Sequence, residues 1–590
     1  MNQIYQKNLN AFSKRYPDAA RFIDDLDIGD AYQVLPAQNA GSYIKVKRGD
    51  GYVFIGDQIN PAEDVKKIVS NEYKKQCFFI VMGIGLGELL FESFNQYPES
   101  IFLCVEHDPR IFKLALKTND FTRYLNDDRI GFMVGIKKNH LFKYCSEFVV
   151  QGDNSNYFPN LFLISNPQIV RYSQTYYQEV SSALKRSLDM FWLGVIGDDI
   201  TDTLTGLENT LKNVKKVKDW CSIEPYQNYF KGKTGILVSS GPSLDNKLHL
   251  LKKHQDQAVI VCADSSLKLL RSNGIKPFAV ASIERVENLA KLYQGFKIPD
   301  DILLFATTVL YPSIYEVFPG PIIPVFLNHF PFHFLPKFLP LRTAGMSCAH
   351  LNLLMLIFLG CEKIALVGQD LAYDRYTGET HFTGVVDYAR AAETKRDKIK
   401  VPDHQGGEID TNIWWSMFRD FFTMIVQHNP GSKVINVIEK DFGARIIDVD
   451  QVEPDVFFNQ LAEEPVIKKH LDLKAGQSFM KDNGDAFLKE LDGKKQAVLL
   501  ELDILIEKLK TLADEQDFKT YYAKKKIILE DSHADAVYFY SYLLKPSYRR
   551  FDASAQSLWS SQEFRANLPE HLKIAEDVLL RLKVVLQKSL

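Results

Sequence analysis

The chain lacks the features that mark several large classes of protein. It has no long hydrophobic run: the longest apolar patch, LLMLIFL at Leu353–Leu359, falls far short of the roughly 20 residues that span a bilayer. Its opening segment, MNQIYQKNLNAFSKRYPD, holds no apolar core of the signal-peptide type. Cysteine is scarce, with seven in 590 residues (Cys77, Cys104, Cys145, Cys221, Cys262, Cys348 and Cys361). The set is odd and scattered, has no CxxC, and falls partly in strand-like runs such as FLCVE and VIVCAD, so it reads as buried reduced thiols. No sign of charge dominates: 25% of residues are charged and the formal net charge is −3, which implies no nucleic-acid or other polyanionic partner. There is no low-complexity tract. A soluble cytoplasmic protein with no membrane partner is expected.

What the chain has in quantity is apolar and aromatic sequence: 46% hydrophobic, with 40 Phe and 27 Tyr, enough for large cores. Its length suggests about three or four domains, and three parts are read. Residues 1–205 contain a strand-like YVFIGDQ (Tyr52–Gln58). CFFIVMGIGLGELLFESF (Cys77–Phe94) then reads as strand, glycine turn and helix, and SIFLCVEHDPRIFKLAL repeats that order. Such alternation favours a parallel sheet. A polar, Tyr-rich helical stretch from about Ser173 to Trp220 leads onward. Residues 206–455 alternate again, with candidate strands GILVSS, AVIVCAD, FAVASIE, ILLFATT, IPVFL, KIALVGQD and KVINVIE. Residues 456–590 change character. Val498, Leu499, Leu502, Leu505, Ile506, Leu509 and Leu512 fall at helical spacing, and KIAEDVLLRLKVVL repeats the pattern. The expected fold class is α/β: two tandem Rossmann-like domains followed by an all-α C-terminal domain, a helical hairpin or bundle for packing or docking.

Two strand-to-helix turns are the candidate ligand sites. The first, VMGIGLGE, carries Gly83, Gly85 and Gly87, and Glu106 ends the next strand. Glycines there let a ligand approach the backbone, the helix start favours anions, and an acid at Glu106 suits a ribose hydroxyl. A nucleotide or S-adenosylmethionine fits this pattern, and so does a tight turn that needs glycine and holds no ligand. Methyltransferases usually carry an acid two residues before the first glycine; here that residue is Val81. The second turn is SSGPSL. Gly241 permits close approach or positive φ, Pro242 removes a donor, and Ser243 is placed to cap the coming helix, leaving free N–H groups above the strand end. A capped turn without a ligand is the plainer reading. Context favours a ligand, because Asp264, Ser282 and Glu284 also lie at strand ends, where open α/β sheets bind.

SGPSLDN, CADSSL with NGIKPFAVASIE, and TAGMSCAHLNLLMLIFLGCEKIALVGQDLAY together resemble the Maf (motility-associated factor) family, over essentially the whole chain. The resemblance implies a cytoplasmic glycosyltransferase with an N-terminal Rossmann-like domain, a central catalytic domain that is a sialyltransferase-like GT-A variant, and a helical C-terminal domain. The implied reaction moves a nonulosonic acid, pseudaminic or legionaminic, from its CMP-sugar to a Ser or Thr of flagellin, in the service of flagellum assembly and motility. No cofactor or essential metal is implied, and the chain shows no DxD-type pair in its central part. By similarity to bacterial sialyltransferases, the nucleotide falls to Ser240, Gly241, Pro242 and Ser243. Also implied are Asp264 and Ser282, the segment Thr343, Ala344 and Gly345, then Gly368 and Asp370, with Tyr373 or Tyr376 on the phosphate. The sequence departs from the pattern at two points: Asp264 stands where an Asn is usual, and Ala344 where a Ser is.

The chemistry needs a base for the acceptor hydroxyl and stabilisation of the departing CMP phosphate. His381 in GETHFTG and His404 in PDHQGGE, ahead of a helix expected near Thr411, are candidate bases, and Asp264 joins them as a candidate catalytic group. His381 is favoured because its loop adjoins Asp370. Glu284, Arg285 and Arg342 are candidates for sugar or phosphate contact. Two other classes stay open: a pterin-pyrophosphokinase-like diphosphotransferase, which shares the SGPSL-plus-AD pattern but has paired aspartates where this chain has ASIE, and a non-catalytic flagellin export or assembly factor.

Overall fold

A strand buried on both faces is written as an unbroken apolar run, and this chain has many. The computed structural model describes the chain except residues 1, 40, 70–75, 152–153, 197–199, 329–331, 338–339, 341, 384–397, 468–469, 533, 545–546, 548–550, 553, 556–559 and 589–590. It divides into two compact units. The first comprises Met1–Gly197, Lys508–Asp531 and Leu544–Ala575; the second comprises Asp198–Glu507, Ser532–Leu543 and Glu576–Leu590.

The first unit opens with an antiparallel meander, β1 (Tyr32–Pro36), β2 (Ser42–Arg48) and β3 (Gly51–Ile55). A parallel sheet follows, made of β4 (Phe78–Met82), β5 (Ile101–Glu106), β6 (Ile130–Val134) and β7 (Leu161–Ser165) in the order β6-β5-β4-β7. Every residue of β4 and β5 is buried. Phe79 and Phe102 of these strands share a core with Phe94 of the helix Glu88–Gln96 and Phe112 of the helix Pro109–Thr118.

Strand order reverses beside β4, where such sheets take ligands, but here the protein's own side chains occupy the crevice. Gly83 has φ +85°, and a Cβ on it would stand 2.8 Å from Cβ of Ile169. The amides of Ile84 and Gly85 donate to Oε2 of Glu106 at 3.1 and 3.3 Å, and the Asp108 amide donates to Oε1 at 3.2 Å. Glu106 therefore takes the donors that would face an anion, as in the ligand-free turn that the sequence left open beside a ribose contact. The cause is adjacency: β5 pairs with β4, so the acid at its end reaches the glycine turn first. A gap of about 20 Å³ beside the turn, lined by Gly85, Leu86 and Asn166 among others, has room for a single water.

The second unit is built on an eight-stranded parallel sheet. Its strands are β8 (Thr234–Val238), β9 (Val259–Ala263), β10 (Ala279–Ser282), β11 (Leu303–Thr307), β12 (Ile322–Val325) and β13 (Lys363–Val367). After an antiparallel hairpin, β14 (Lys398–Pro402) and β15 (Glu408–Asn412), come β16 (Lys433–Val437) and β17 (Asp450–Val452). The order is β12-β11-β10-β9-β8-β13-β16-β17. All seven strands expected from the sequence are present in it, and the α/β class with a helical C-terminal region is the fold observed. The helix Cys348–Phe358 packs across β8, β9 and β10. C-terminal helices Lys474–Lys510 and Ser561–Lys588 carry the expected apolar stripes, with Leu502, Leu505, Leu579 and Leu582 buried. No helix among the described residues is long and apolar enough to cross a membrane.

Burial pushes the Glu106 carboxyl up from 4.5 to about 7. Between those two pH values the unfolded chain releases this proton before the folded one does, so Glu106 lowers the stability of the first unit as pH rises through the window. In Glu106→Gln that slope is expected to vanish. The variant also loses an acceptor for buried amides, about 1–3 kcal/mol. Thermal unfolding at pH 5 and pH 7.5, wild type against variant, checks both effects.

Candidate active site

In the second unit β8 and β13 lie side by side, while the chain leaves them toward opposite edges of the sheet. Beyond their carboxyl ends opens a cleft of about 660 Å³. Ser239, Ser240 and Gly241 follow β8 into it, and Gly368 to Ala372 follow β13. Asp264 and Ser265 follow β9, and Ile283, Glu284 and Arg285 follow β10. The segment from Gly345 to Ala349, which starts the helix Cys348–Phe358, forms another wall. Trp414, Trp415 and Phe418, from the helix Ile413–His428, line the cleft with Thr380 and His381.

The SSGPSL turn is held from across the switch point. Asp370 is buried, and its carboxylate accepts from the Ser243 amide at 2.7 Å and the Ser243 hydroxyl at 2.5 Å. The Gly241 amide donates to the Gly368 carbonyl at 2.8 Å. A Cβ on Gly241 would lie 2.6 Å from that carbonyl and 2.7 Å from the Asp370 carboxyl carbon. Gly241 has φ −66°, so close approach, and not a positive φ, is what requires glycine there. Ser243 does not cap a helix; Pro242–Lys247 is a 3₁₀ turn without a side-chain cap. This corrects the expectation of free amides over a phosphate, because the Ser243 amide is spent on Asp370. Burial raises the Asp370 pKa, and the two Ser243 bonds act against that rise. Behind the turn, the fully buried Lys247 ammonium meets Glu439 at 2.5 Å and the Ser243 carbonyl at 2.6 Å.

Two other helix starts border the cleft. Asp264 begins the helix Asp264–Ser272 and is itself buried. Its carboxylate accepts from the Ser282 hydroxyl (2.8 Å), the Ser265 amide (2.8 Å) and the Cys348 thiol (3.6 Å). Burial raises its pKa, and these three donors oppose the rise. Ser282 thus stands behind Asp264 and outside the cleft lining. At the second start, His350 arranges the wall. The Met346 amide (3.2 Å) and the Ser347 hydroxyl (3.0 Å) both meet its Nδ1, and its Nε2 donates to the Phe418 carbonyl (2.9 Å). Burial lowers the imidazole pKa to about 4, which keeps it neutral and acceptor-capable at Nδ1.

Of the two candidate bases, the cleft contains one. His381 lines it, with Nδ1 2.9 Å from Thr380 Oγ1, and the next amide, Phe382, donates to Ser240 O at 3.0 Å. His404 lies in the β14–β15 turn, outside the cleft lining, where burial and Arg445 lower its pKa to about 4. The helix after it begins at Ile413, capped by Asn412, because the preceding residues pair as a hairpin. Gly345 borders the cleft, whereas Thr343 bonds Asn328 and Ala344 is buried beside it. Tyr373 is buried against Trp415, and Tyr376 is 73% exposed; neither lines the cleft. Arg342 is likewise elsewhere, paired with Glu224 and 4.0 Å above the Phe358 ring. Arg285 is in the cleft and pairs with Asp202 at 2.9 Å.

Sequence reasoning missed Asp202, Ser347, Cys348, His350, Gln369 and the tryptophan wall. Two signals were present: adjacent Trp414–Trp415 opening a helix, and Ser347 three residues before His350, a helix-start spacing. Among the described residues, no group of three or more His, Cys, Asp and Glu side chains is arranged to hold a metal ion.

The class defined by this architecture is a two-unit parallel α/β protein with a cleft at the second sheet's switch point. In fold it resembles the MAf glycosyltransferase from Magnetospirillum magneticum AMB-1: the match covers 100% of this chain and 96% of that one, with a TM-score of 0.58 and 14% identity. A family model described as 6-hydroxymethylpterin diphosphokinase MptE-like matches residues 208–375, which include β8 to β13. No curated protein matches the chain in sequence.

Removing the clasp should loosen the cleft floor. Ser243→Ala is expected to destabilise the second unit by about 1–3 kcal/mol, since it strips a donor from a buried carboxylate. Asp370→Ala is expected to cost about 3–5 kcal/mol, because it also unbalances the Lys247–Glu439 charges behind the turn. Chemical denaturation monitored by tryptophan fluorescence measures both.

Proposed function

We propose that the protein is a cytoplasmic glycosyltransferase that moves a nonulosonic acid, pseudaminic or legionaminic, from its CMP-sugar to a Ser or Thr hydroxyl of flagellin. The observation that carries this reading is the roomy polar cleft at the β8/β13 switch point, in a chain whose whole fold resembles that of a glycosyltransferase. In the proposed reaction the acceptor oxygen attacks the anomeric carbon, the bond from that carbon to the phosphate oxygen breaks, and CMP departs with the electron pair. His381 takes the acceptor proton; it is the candidate imidazole bordering the cleft. The start of the helix Cys348–Phe358 offers amide donors and a dipole to the departing phosphate. Asp264, held by Ser282 and Ser265, orients the nucleotide or sugar hydroxyls. Trp414, Trp415 and Phe418 supply an apolar wall for the sugar or the base. A monophosphate leaving group needs no diphosphate-binding metal.

Purified protein incubated with unglycosylated flagellin and CMP-pseudaminic or CMP-legionaminic acid tests this. Intact-mass measurement is expected to show a gain of one nonulosonic acid per modified site, undiminished by EDTA. Rates should fall at least about 100-fold in His381→Ala, the scale of a lost general base, and Asp264→Ala should abolish the gain. No gain with either donor, when both donor and acceptor serve another transferase, would sink the proposal.

The match to the pterin diphosphokinase model favours one second reading, ATP-dependent diphosphoryl transfer to a hydroxymethylpterin. Against it, the end of β10 carries Ser282, Ile283, Glu284 and Arg285 in place of paired aspartates. Release of AMP from ATP and Mg²⁺, dependent on added 6-hydroxymethyl-dihydropterin, would install this reading over the first.

A further inference from the structure

The cleft has an unusual charge balance for a site that would take an anion. Carboxylates line it at Asp202, Asp264, Glu284 and Asp370, while Arg285 is its one full positive charge among the described lining residues. A CMP-nonulosonate brings two anionic groups, a phosphodiester and the carboxylate on its anomeric carbon. Asp264 and Asp370 each hold several donors of their own. Arg285 is different, because what it holds is a carboxylate: Nη1 donates to Oδ2 of Asp202 at 2.9 Å and to the Asp202 carbonyl at 3.2 Å. The two side chains are unequally exposed. Arg285 is 14% exposed, and its carbonyl is tied at 3.1 Å to Asn209, which also binds the Val309 carbonyl. Asp202 is 40% exposed and sits in the first turn of the helix Ile200–Asn213. A walled-in guanidinium is thus paired with a carboxylate that has water to turn into.

We infer that Arg285 is the specificity residue for the donor's carboxylate, and that Asp202 is its stand-in, occupying the carboxylate position until the sugar displaces it. This rests on the reading of the cleft as a CMP-sugar site. The guanidinium fork suits a planar carboxylate, and exchanging one carboxylate for another keeps the partly buried cation neutralised throughout. The cytidine and phosphate are then held elsewhere in the cleft, so binding separates into two parts. CMP, which lacks the carboxylate, does not depend on Arg285; the CMP-sugar does. Asp202 competes with the sugar carboxylate for Arg285, and a ligand without a carboxylate leaves the Arg285–Asp202 pair in place.

Calorimetric titration of the full-length protein with CMP and with each of CMP-pseudaminic and CMP-legionaminic acid tests this. Arg285→Met is expected to weaken CMP-sugar binding at least about tenfold while CMP affinity changes less than about twofold. Arg285→Lys should recover part of the loss, since it restores charge without the fork. Asp202→Asn should tighten CMP-sugar binding several-fold and leave CMP alone, a gain that a merely structural role for the pair would not produce. An unchanged ratio of CMP-sugar to CMP affinity in Arg285→Met overturns the inference alone, and so does weaker CMP-sugar binding in Asp202→Asn. Failure of the wild type to bind CMP overturns it together with the donor reading. Should Arg285→Met misfold, as its CMP titration would reveal, the sign of the Asp202→Asn effect still decides.

Discussion

The second unit depends on one buried carboxylate. Asp370 reaches across the switch point and binds both the amide and the hydroxyl of Ser243, so the turn after β8 is pinned to the end of β13. Its own carbonyl accepts from the Ala444 amide at 2.8 Å, which brings the loop after β16 into the same junction. The Ser240 carbonyl, next to the pinned turn, then receives Phe382 and so sets the loop that carries His381. A carboxylate out of water is expensive unless its lone pairs are filled. Here they are filled by the very turn whose position matters, so the floor of the cleft and the stability of the junction are one feature.

The two units solve the same architectural problem in opposite ways. Each has a parallel sheet whose order reverses, and each places an acid close to the glycine turn at the reversal. In the first, Glu106 comes from the neighbouring strand β5 and reaches over the turn to take its amides, while Ile169 fills the crevice above Gly83. In the second, Asp370 follows β13, takes the Ser243 amide and hydroxyl, and itself lines an open cleft. The cavities beside the two turns measure about 20 and about 660 Å³.

His350 and Arg285 extend the same logic to the walls. A neutral, deeply buried imidazole organises the Gly345–Ser347 segment because only an unprotonated Nδ1 can accept the Met346 amide. An ion pair with one enclosed and one exposed partner keeps a cation ready in a largely acidic cleft. In each case one partner is far away in sequence, Phe418 for His350 and Asp202 for Arg285, and no local pattern announces that pairing.

Much of the frame was readable without coordinates. Strands of a covered parallel sheet are continuous apolar runs, so GILV, VIVCA and KIALV announce themselves locally, as do the helical stripes near Leu502 and Leu579. The placement of Ser240, Gly241, Asp264, Gly368 and Asp370 at one cleft also follows from sequence order, because parallel connections return every strand's carboxyl end to the same edge. The hairpin KIKVP and EIDTN was not readable: its residues are mostly polar, its burial alternates, and pairing rather than composition makes it a strand pair. That pairing is what carries His404 away from the cleft. Sequence by itself determined which residues meet at the edge of the sheet, since period and connection handedness are local properties. Tertiary structure alone decided which of those groups face ligand and which face one another, because hydrogen-bond partners are chosen by distance in space: Ser243 by Asp370, Glu106 by its own glycine turn, and Arg285 by Asp202.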